Sequence, residues 1–446
     1  NTFMKIAFLP IDNRPVCCTM PQIIAGIDDS IEFFLPEKTL LGDLTTIANV
    51  EALTNWLKNL PSLDAIILSL DTIAYGGLIP SRKSMEPFEK IKNRIENIKQ
   101  ILQTKNAKIY AFSSIMRISN NNFNDEEKEY WSLYGEKIFK YSYNLHKNGN
   151  AQTDVPQDII KDYLNTRKRN FEINKIYLEW QKEGLFDTLV FSKDDCAQYG
   201  LNVQEAKNLE KLGAFTKTGA DEIPLSLLAR ALNKQIKICP IFLEPEHKNL
   251  ISNYEDISVE NSVKSQIELA GCTIAGCDDA DILLYINNFK DIQGEIVMGV
   301  NTESFDGEFK TPDKPYIVAD VRFANGADNC FVEEFLKNKI DDKYFYGYSA
   351  WNTTANTLGS LICGGKYKFC AQKYNEENFK MLQITRFLDD WAYQANVRQE
   401  LKKTKGQIKP LMKPFEEKII NIFNYNSNIN YLYPWDRLFE VEIEFN

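Results

Sequence analysis

The chain has 446 residues, 44% of them hydrophobic, enough for one very large domain or for two or three lobes with ample cores. A formal net charge of −10, with Lys and Arg scattered along the chain, argues against a phosphate-tracking surface, so no nucleic-acid partner is expected. No apolar run reaches the length of a membrane span, and no membrane partner is expected either.

The start, NTFMKIAFLP, goes straight into a strand without a basic and then apolar leader, which predicts a cytoplasmic location unless a secretion leader was removed ahead of this numbering. From there a short β-rich run closing on polar residues and followed by a helical stretch recurs ten times. The runs are IAFLPIDNRP, IEFFLP, DAIILSLDTIAYGG, IYAFSSIMR, LVFSKDD, AFTKTGADE, IKICPIFLEP, DILLYINN, YIVADVRFANGAD and YFYGYSAWNTT. Their apolar cores are continuous instead of alternating, the pattern of parallel strands with helices over both faces. Ile91, Ile95, Ile98 and Leu102 mark the apolar stripe of one intervening helix.

Longer helical segments are expected over 126–146, 158–182 and 375–403, and the TRKR run at 166–169 reads as a solvated helix face. After Asn233 the pattern restarts with KICPIF, SVKSQIELAG and ADILLYINN. The expectation is an α/β fold of two Rossmann- or flavodoxin-like parallel-sheet lobes: an N-terminal domain over 4–235, a second lobe over 236–372 and a helical C-terminal segment over 373–446. A single β/α barrel with additions is the alternative.

Nine cysteines form no C-x-x-C pair; Cys17 and Cys18 are adjacent, and four residues separate Cys272 from Cys277. With only His146 and His247 beside them, zinc and thioredoxin-like chemistry lack their ligands, and most thiols are expected to be reduced and buried.

In parallel α/β folds ligands sit outside the carboxyl ends of the strands. The residues there are Asp12, Asn13 and Arg14; Asp71 and Tyr75, followed by Gly76 and Gly77; Arg117; Asp194, Asp195 and Tyr199; Asp221 and Glu222; Asp320, Arg322 and Asn325; and Trp351, Asn352 and Asn356. Carboxylates, amides, arginines and aromatic rings without a histidine suit a carbohydrate, whose glycosidic bonds are broken by carboxyl pairs. No G-x-S-x-G elbow and no phosphate-binding P-loop occurs. Two adjacent acid pairs, Asp194–Asp195 and Asp221–Glu222, are the candidate catalytic groups, because converging carboxylates hold one of the two protonated as a general acid requires. Asp194 or Asp221 capping the next helix is the competing reading. Arg14 either holds a substrate anion or pairs with Asp12, and the double glycine serves either a tight turn or close approach of a ligand. Trp351 is either a sugar platform beside Asn352 and Asn356, or the lead-in to a helix capped by Asn352 or Thr353.

The strand ending in DD resembles the catalytic pair of O-GlcNAcase-type hexosaminidases, and GADE is similar to the strand end of chitobiase-type hexosaminidases. The resemblance implies that Asp194 or Asp221 orients the substrate's N-acetyl group, whose oxygen attacks the anomeric carbon, while Asp195 or Glu222 protonates the leaving oxygen. Over nearly the whole chain, LPIDNRPV, SLDTIAYGGLIPSR, KDDCAQYG, GADEIPLSLLARAL, ADVRFANGAD and YSAWNTTANTLG resemble the motif series of a bacterial family catalogued as domain of unknown function 4127. That likeness implies one shared site and no particular activity.

The expected function is a glycoside hydrolase or related carbohydrate-active enzyme, without a cofactor, acting on a small-molecule carbohydrate that contains N-acetylhexosamine. Asp12, Arg14, Asp71, Tyr75, Asp320, Asn325, Trp351, Asn352 and Asn356 are expected to bind the substrate. One alternative is a sugar isomerase or hydrolase that holds magnesium or manganese on Asp12, Asp71, Asp194, Asp195 and Asp221. The other is a sugar-binding protein without catalysis.

Overall fold

A computed structural model describes residues 3–194 and 197–446. Its backbone contacts divide into two compact units, the first comprising Asn1–Cys18, Glu32–Pro224 and Tyr254–Asp256, the second Thr19–Ile31, Leu225–Asn253 and Ile257–Asn446.

The first unit is built on β1 (Met4–Leu9), β2 (Ile31–Phe34), β3 (Ala65–Ser69), β4 (Lys108–Ile115), β5 (Thr188–Lys193) and β6 (Thr216–Thr218). They form one sheet in the order β2-β1-β3-β4-β5-β6, with β1, β3, β4, β5 and β6 paired in parallel. Every residue of β3 is buried, as its unbroken apolar run requires. Helices α1 (Thr19–Ala25, grouped with the second unit), α2 (Val50–Lys58), α3 (Leu70–Tyr75), α4 (Leu78–Lys83), α5 (Phe88–Thr104), α6 (Trp131–Asn148), α7 (Gln157–Lys182) and α8 (Leu201–Lys211) connect the strands. On α5, Ile91, Ile95, Ile98 and Leu102 are at most 1% exposed, and each such side chain contributes about 1.5–3 kcal/mol of burial.

The TRKR run departs from the solvated face expected of it. On α7, Arg167 is buried and pairs with Glu205 at 2.5 Å while donating to the Met116 carbonyl, and Arg169 donates to the carbonyls of Ser81, Ser84 and Glu86. Only Lys168 of the run is exposed, because the guanidinium groups satisfy loop carbonyls that would otherwise be buried without donors.

The second unit carries α9 (Ile223–Arg230, which enters it at Leu225), β7 (Lys237–Phe242), α10 (Val259–Leu269), β8 (Thr273–Ile274), β9 (Ile282–Asn287), β10 (Gly294–Glu295), β11 (Tyr316–Asp320), β12 (Phe323–Ala324), α11 (Asn329–Phe335) and β13 (Phe345–Ser349). Five of these strands form a parallel sheet, β13-β11-β9-β7-β8, and β10 pairs with β12. Then follow α12 (Thr354–Cys370), α13 (Glu376–Arg386), a π-helix over Phe387–Val397, α14 (Arg398–Thr404) and α15 (Ile408–Phe423). The stretch is helical as expected up to Phe423, but it ends in an antiparallel hairpin of β14 (Ile429–Leu432) and β15 (Glu442–Phe445). The reason is local: VEIEF alternates apolar and charged residues with a period of two.

Counted from its own first strand, each sheet runs 2-1-3-4-5, the flavodoxin-like order, with β6 added to the first. Both sheets are open, so among the described residues the barrel alternative gives way to two doubly wound sheets. The segment after α1 is fastened within the second unit: Asp28 accepts from the N–H groups of Gln372 and Lys373, both at 3.1 Å, and the Asn375 N–H donates to the Ile27 carbonyl at 2.7 Å.

Cys239 and Cys277 form a disulfide, whereas Cys17, Cys18, Cys272, Cys330, Cys363 and Cys370 are free thiols; Cys196 lies outside the described residues. Among the described residues no helix is long and apolar enough to cross a membrane.

Candidate functional site

The order of the first sheet reverses between β1 and β3, and the carboxyl ends on that edge open into a cleft enclosing about 430 Å³ of space, open solvent included. Ile11, Arg82, Ser114, Arg117, Asp194 and Asp221 are among the residues lining it, drawn from the ends of β1, β4, β5 and β6 and from α4.

Arg14 organises one wall. Its Nε lies 3.0 Å from both oxygens of Asp12, and its backbone N–H also donates to Asp12. The terminal nitrogens grip both oxygens of Asp221, at 3.0 and 2.8 Å. Of the two readings of DNRP, pairing with Asp12 is therefore present, and the guanidinium extends the pair to Asp221. Asp221 serves the ion pair and the cleft.

Asp71 sits in the first turn of α3, whose N-cap is Ser69. Its carboxylate accepts the Ser114 N–H at 2.9 Å, which places it directly behind a cleft residue. Burial pushes Asp71 up to about 6, against the pull of the Ser114 hydrogen bonds and the Arg82 charge. Arg82 is shifted downward by burial and by the neighbouring Arg117. Glu127 stands between these two guanidiniums, 3.7 Å from Arg82 Nη1 and 3.0 Å from Arg117 Nε.

The two acid pairs fare differently. Asp194 lines the cleft and does not cap the next helix, whose N-cap position is Gly200; Asp195 lies outside the described residues. The Asp221–Glu222 pair is split. Glu222 is fully buried, accepts the Ala220 N–H at 2.9 Å and packs so tightly on Gly219 that a Cβ there would meet its Oε1 at 1.7 Å. Burial raises its pKa, partly offset by the charge of Lys217. Its carboxyl shapes the turn that presents Asp221.

Tyr75 is buried beneath Arg169, 5.4 Å from its ring, and contributes to a different and larger groove of about 1200 Å³, open solvent again included, beside Asp43, Ile47, Met85 and Arg94. Gly76 at φ +90° and Gly77 at φ +138° realise the turn reading of the double glycine: a Cβ on Gly76 would lie 2.2 Å from Ile47 Cγ2.

The remaining candidates lie in the second unit. Asp320 accepts from Asn287 Nδ2 at 2.9 Å, from the Asp328 N–H at 2.9 Å and from the Tyr348 hydroxyl at 2.8 Å. Burial and the Asp328 charge push it up to about 8. Arg322, wholly buried, donates to Asn287 Oδ1 at 3.0 Å and to Glu244 Oε1 at 2.7 Å. Glu244 follows β7 and Asn287 ends β9, so protein groups occupy the point where this sheet reverses. Asn325, at φ +61°, donates to Glu295 at 2.5 Å. Trp351 is only 8% exposed, with Arg386 5.7 Å from its ring, and offers a sugar no broad face. Asn352 adopts φ +55°, while Thr353 caps α12 through the Asn356 N–H. The Asn356 Oδ1 atom is buried without a hydrogen-bond partner.

Among the described residues no group of three or more His, Cys, Asp or Glu side chains could hold a metal ion. Of the alternative magnesium or manganese set, Asp12 and Asp221 engage Arg14 with their oxygens, and Asp195 lies outside the described residues. Sequence reasoning missed Arg82, Ser114 and Glu127. Arg82 had a signal: it lies four residues after Leu78 on α4, and both line the cleft.

Fold and cleft together define an α/β protein with two flavodoxin-like sheets and, on the first, a largely apolar cleft that carries the carboxylates of Asp194 and Asp221. The chain belongs to the family described as "Protein of unknown function (DUF4127)", whose model matches residues 6–407. No curated protein matches it. A comparison with solved structures finds the crystal structure of Fpglu1 from Fervidobacterium pennivoraus, 12% identical, covering 92% of this chain and 99% of that one, with a TM-score of 0.19 that carries no argument about fold or function.

Proposed function

We propose that the protein is a glycoside hydrolase or closely related carbohydrate-active enzyme, working in the cleft of the first unit. The observation that supports this reading is that Asp194 and Asp221, from separate acid-pair motifs at the ends of the neighbouring strands β5 and β6, line one cleft. Adjacent strands run about 4.8 Å apart, so neighbouring strand ends present two carboxylates to one sugar ring.

In this reading the substrate is an N-acetylhexosaminide. Asp194 orients the N-acetyl group, its carbonyl oxygen attacks the anomeric carbon, and the glycosidic bond breaks as Asp195 transfers a proton to the leaving oxygen. Asp221, fixed through both oxygens by Arg14, stabilises the positive charge that develops on the sugar ring. Water then opens the cyclic intermediate and returns a proton to Asp195.

A panel of nitrophenyl glycosides that includes N-acetylhexosaminides tests the proposal. Asp194→Asn should lower turnover by about two to four orders of magnitude without lowering the melting temperature. Failure of every glycoside to release nitrophenol, or full turnover by the variant, would sink it.

A further inference from the structure

Seven residues after Asp194 the chain enters α8, a helix without a side-chain cap of its own. Its N-cap position is Gly200, so the first N–H groups need acceptors from elsewhere. Helix α6 supplies them. The Gly200 N–H donates to Nδ1 of His146 at 3.0 Å, and the Leu201 N–H donates to the buried Oγ of Ser142 at 2.9 Å. Ser142 and His146 lie four residues apart on α6, hence on one face, and meet two consecutive amides. Tyr199, at the end of the acid-pair motif, packs edge-on against His146 at 5.3 Å and Tyr143 at 5.5 Å. Lys147 stands 5.8 Å from the Tyr199 ring and 5.9 Å from that of Tyr143.

We propose that His146 is a positioning residue, a latch that ties the end of the acid-pair loop to α6 and opens when its imidazole takes up a second proton. A neutral ring accepts at Nδ1 only as the Nε2–H tautomer, whereas the imidazolium carries N–H on both nitrogens and faces the Gly200 N–H donor to donor. The titratable and charged groups around it are Tyr143 and Lys147 on α6, Tyr199 on the loop and Lys207 on α8. Burial, helped by the Lys207 charge, lowers the His146 pKa below its ordinary value of 6.5. A depressed folded-state value means that the native state takes up the proton less readily than the unfolded chain. The stabilisation is therefore complete above 6.5 and is lost as the pH falls through that value toward the lower one.

The consequence for turnover rests on the glycosidase reading; the latch itself does not, and the experiment separates the two. Amide hydrogen exchange of residues 197–205, corrected for intrinsic rates, is followed against pH in the wild type, His146→Asn and His146→Ala, beside the pH profile of turnover. Asparagine puts a non-titrating amide oxygen where Nδ1 stood. Wild-type protection at Gly200 and Leu201 should fall as the pH drops below 6.5, while the Asn variant keeps it. The Ala variant should be about fivefold less protected than the wild type above pH 6.5, the worth of one neutral hydrogen bond, and should converge on it at acid pH. Turnover should follow protection and lose its acid limb in His146→Asn. Equal protection in wild type and Ala variant above pH 6.5, or an acid limb of protection surviving in the Asn variant, would overturn the latch. If the Ala variant does not fold, the Asn variant alone decides. Expected protection without turnover of any glycoside removes the glycosidase reading and leaves the latch standing.

Discussion

Arg14 offers the sharpest quantitative test, because one guanidinium bridges two carboxylates in a shielded position beside the cleft. Its side chain is 9% exposed, those of Asp12 and Asp221 are 10% and 16%, and the contacts run from 2.8 to 3.0 Å. Arg14→Ala removes the shared partner and leaves two carboxylates facing one another with little water between. Breaking a buried ion pair from one side costs about 3–5 kcal/mol. For a unit of roughly 200 residues each kcal/mol is worth about 2–4 °C, so the melting step of the first unit should drop by about 6–20 °C. Lysine keeps the charge but has no planar fork to serve both acids, so Arg14→Lys should recover less than half of the loss. Adding Asp12→Asn and Asp221→Asn to Arg14→Ala removes the stranded charges and should restore most of the stability while leaving turnover abolished. Calorimetry at pH 7 measures all three. A loss below about 1 kcal/mol for Arg14→Ala, the size of an exposed pair, would refute the argument.

Asp71 gives a pH-dependent expectation. Its folded pKa of about 6 stands above the ordinary 3.8, so its contribution is favourable below 3.8 and is lost as the pH rises through about 6, up to roughly 3 kcal/mol. Asp71→Asn keeps an acceptor for the Ser114 N–H and should melt higher than the wild type at pH 8 but not at pH 4; an equal difference at both pH values would contradict the burial argument. Gly76→Ala should cost about 1 kcal/mol or more in chemical denaturation, because φ +90° is strained for any side chain and the new methyl meets Ile47. Thr353→Ala should cost about 1 kcal/mol by removing the cap of α12, and Thr353→Ser should recover it. Treatment with chelator should leave turnover intact; loss restored by magnesium or manganese would favour a metal-dependent sugar isomerase or hydrolase.

The ten strand-like runs were legible because parallel strands buried on both faces leave unbroken apolar segments such as AIILS and ILLYIN, and all ten occur in the two main sheets. Two-residue β8 was not legible, since Thr273 and Ile274 carry no periodicity. Strand-end logic brought Asp194 and Asp221 to one cleft because the carboxyl ends of parallel neighbours share an edge. It did not reveal that Glu222 turns inward, which depends on Gly219 admitting a carboxyl against its backbone. Nor did it reveal Tyr75 beneath Arg169, a contact between residues 94 positions apart. A histidine outside every strand-end motif gave no sign of its role, because His146 acts across two helices on a backbone amide.

The fastening of Asp28 to Gln372 and Lys373 has a consequence for biosynthesis. Their partners in the chain are 344 and 345 residues downstream. At about 5–20 residues per second, a ribosome needs roughly 20–70 s to deliver those amides after Asp28 has been made. During that interval the buried face of α1, with Met20, Ile24 and Ala25, has no native surface to cover it. The nascent chain thus carries an exposed apolar helix until some 345 further residues have been translated, and premature termination within that stretch leaves a sticky product.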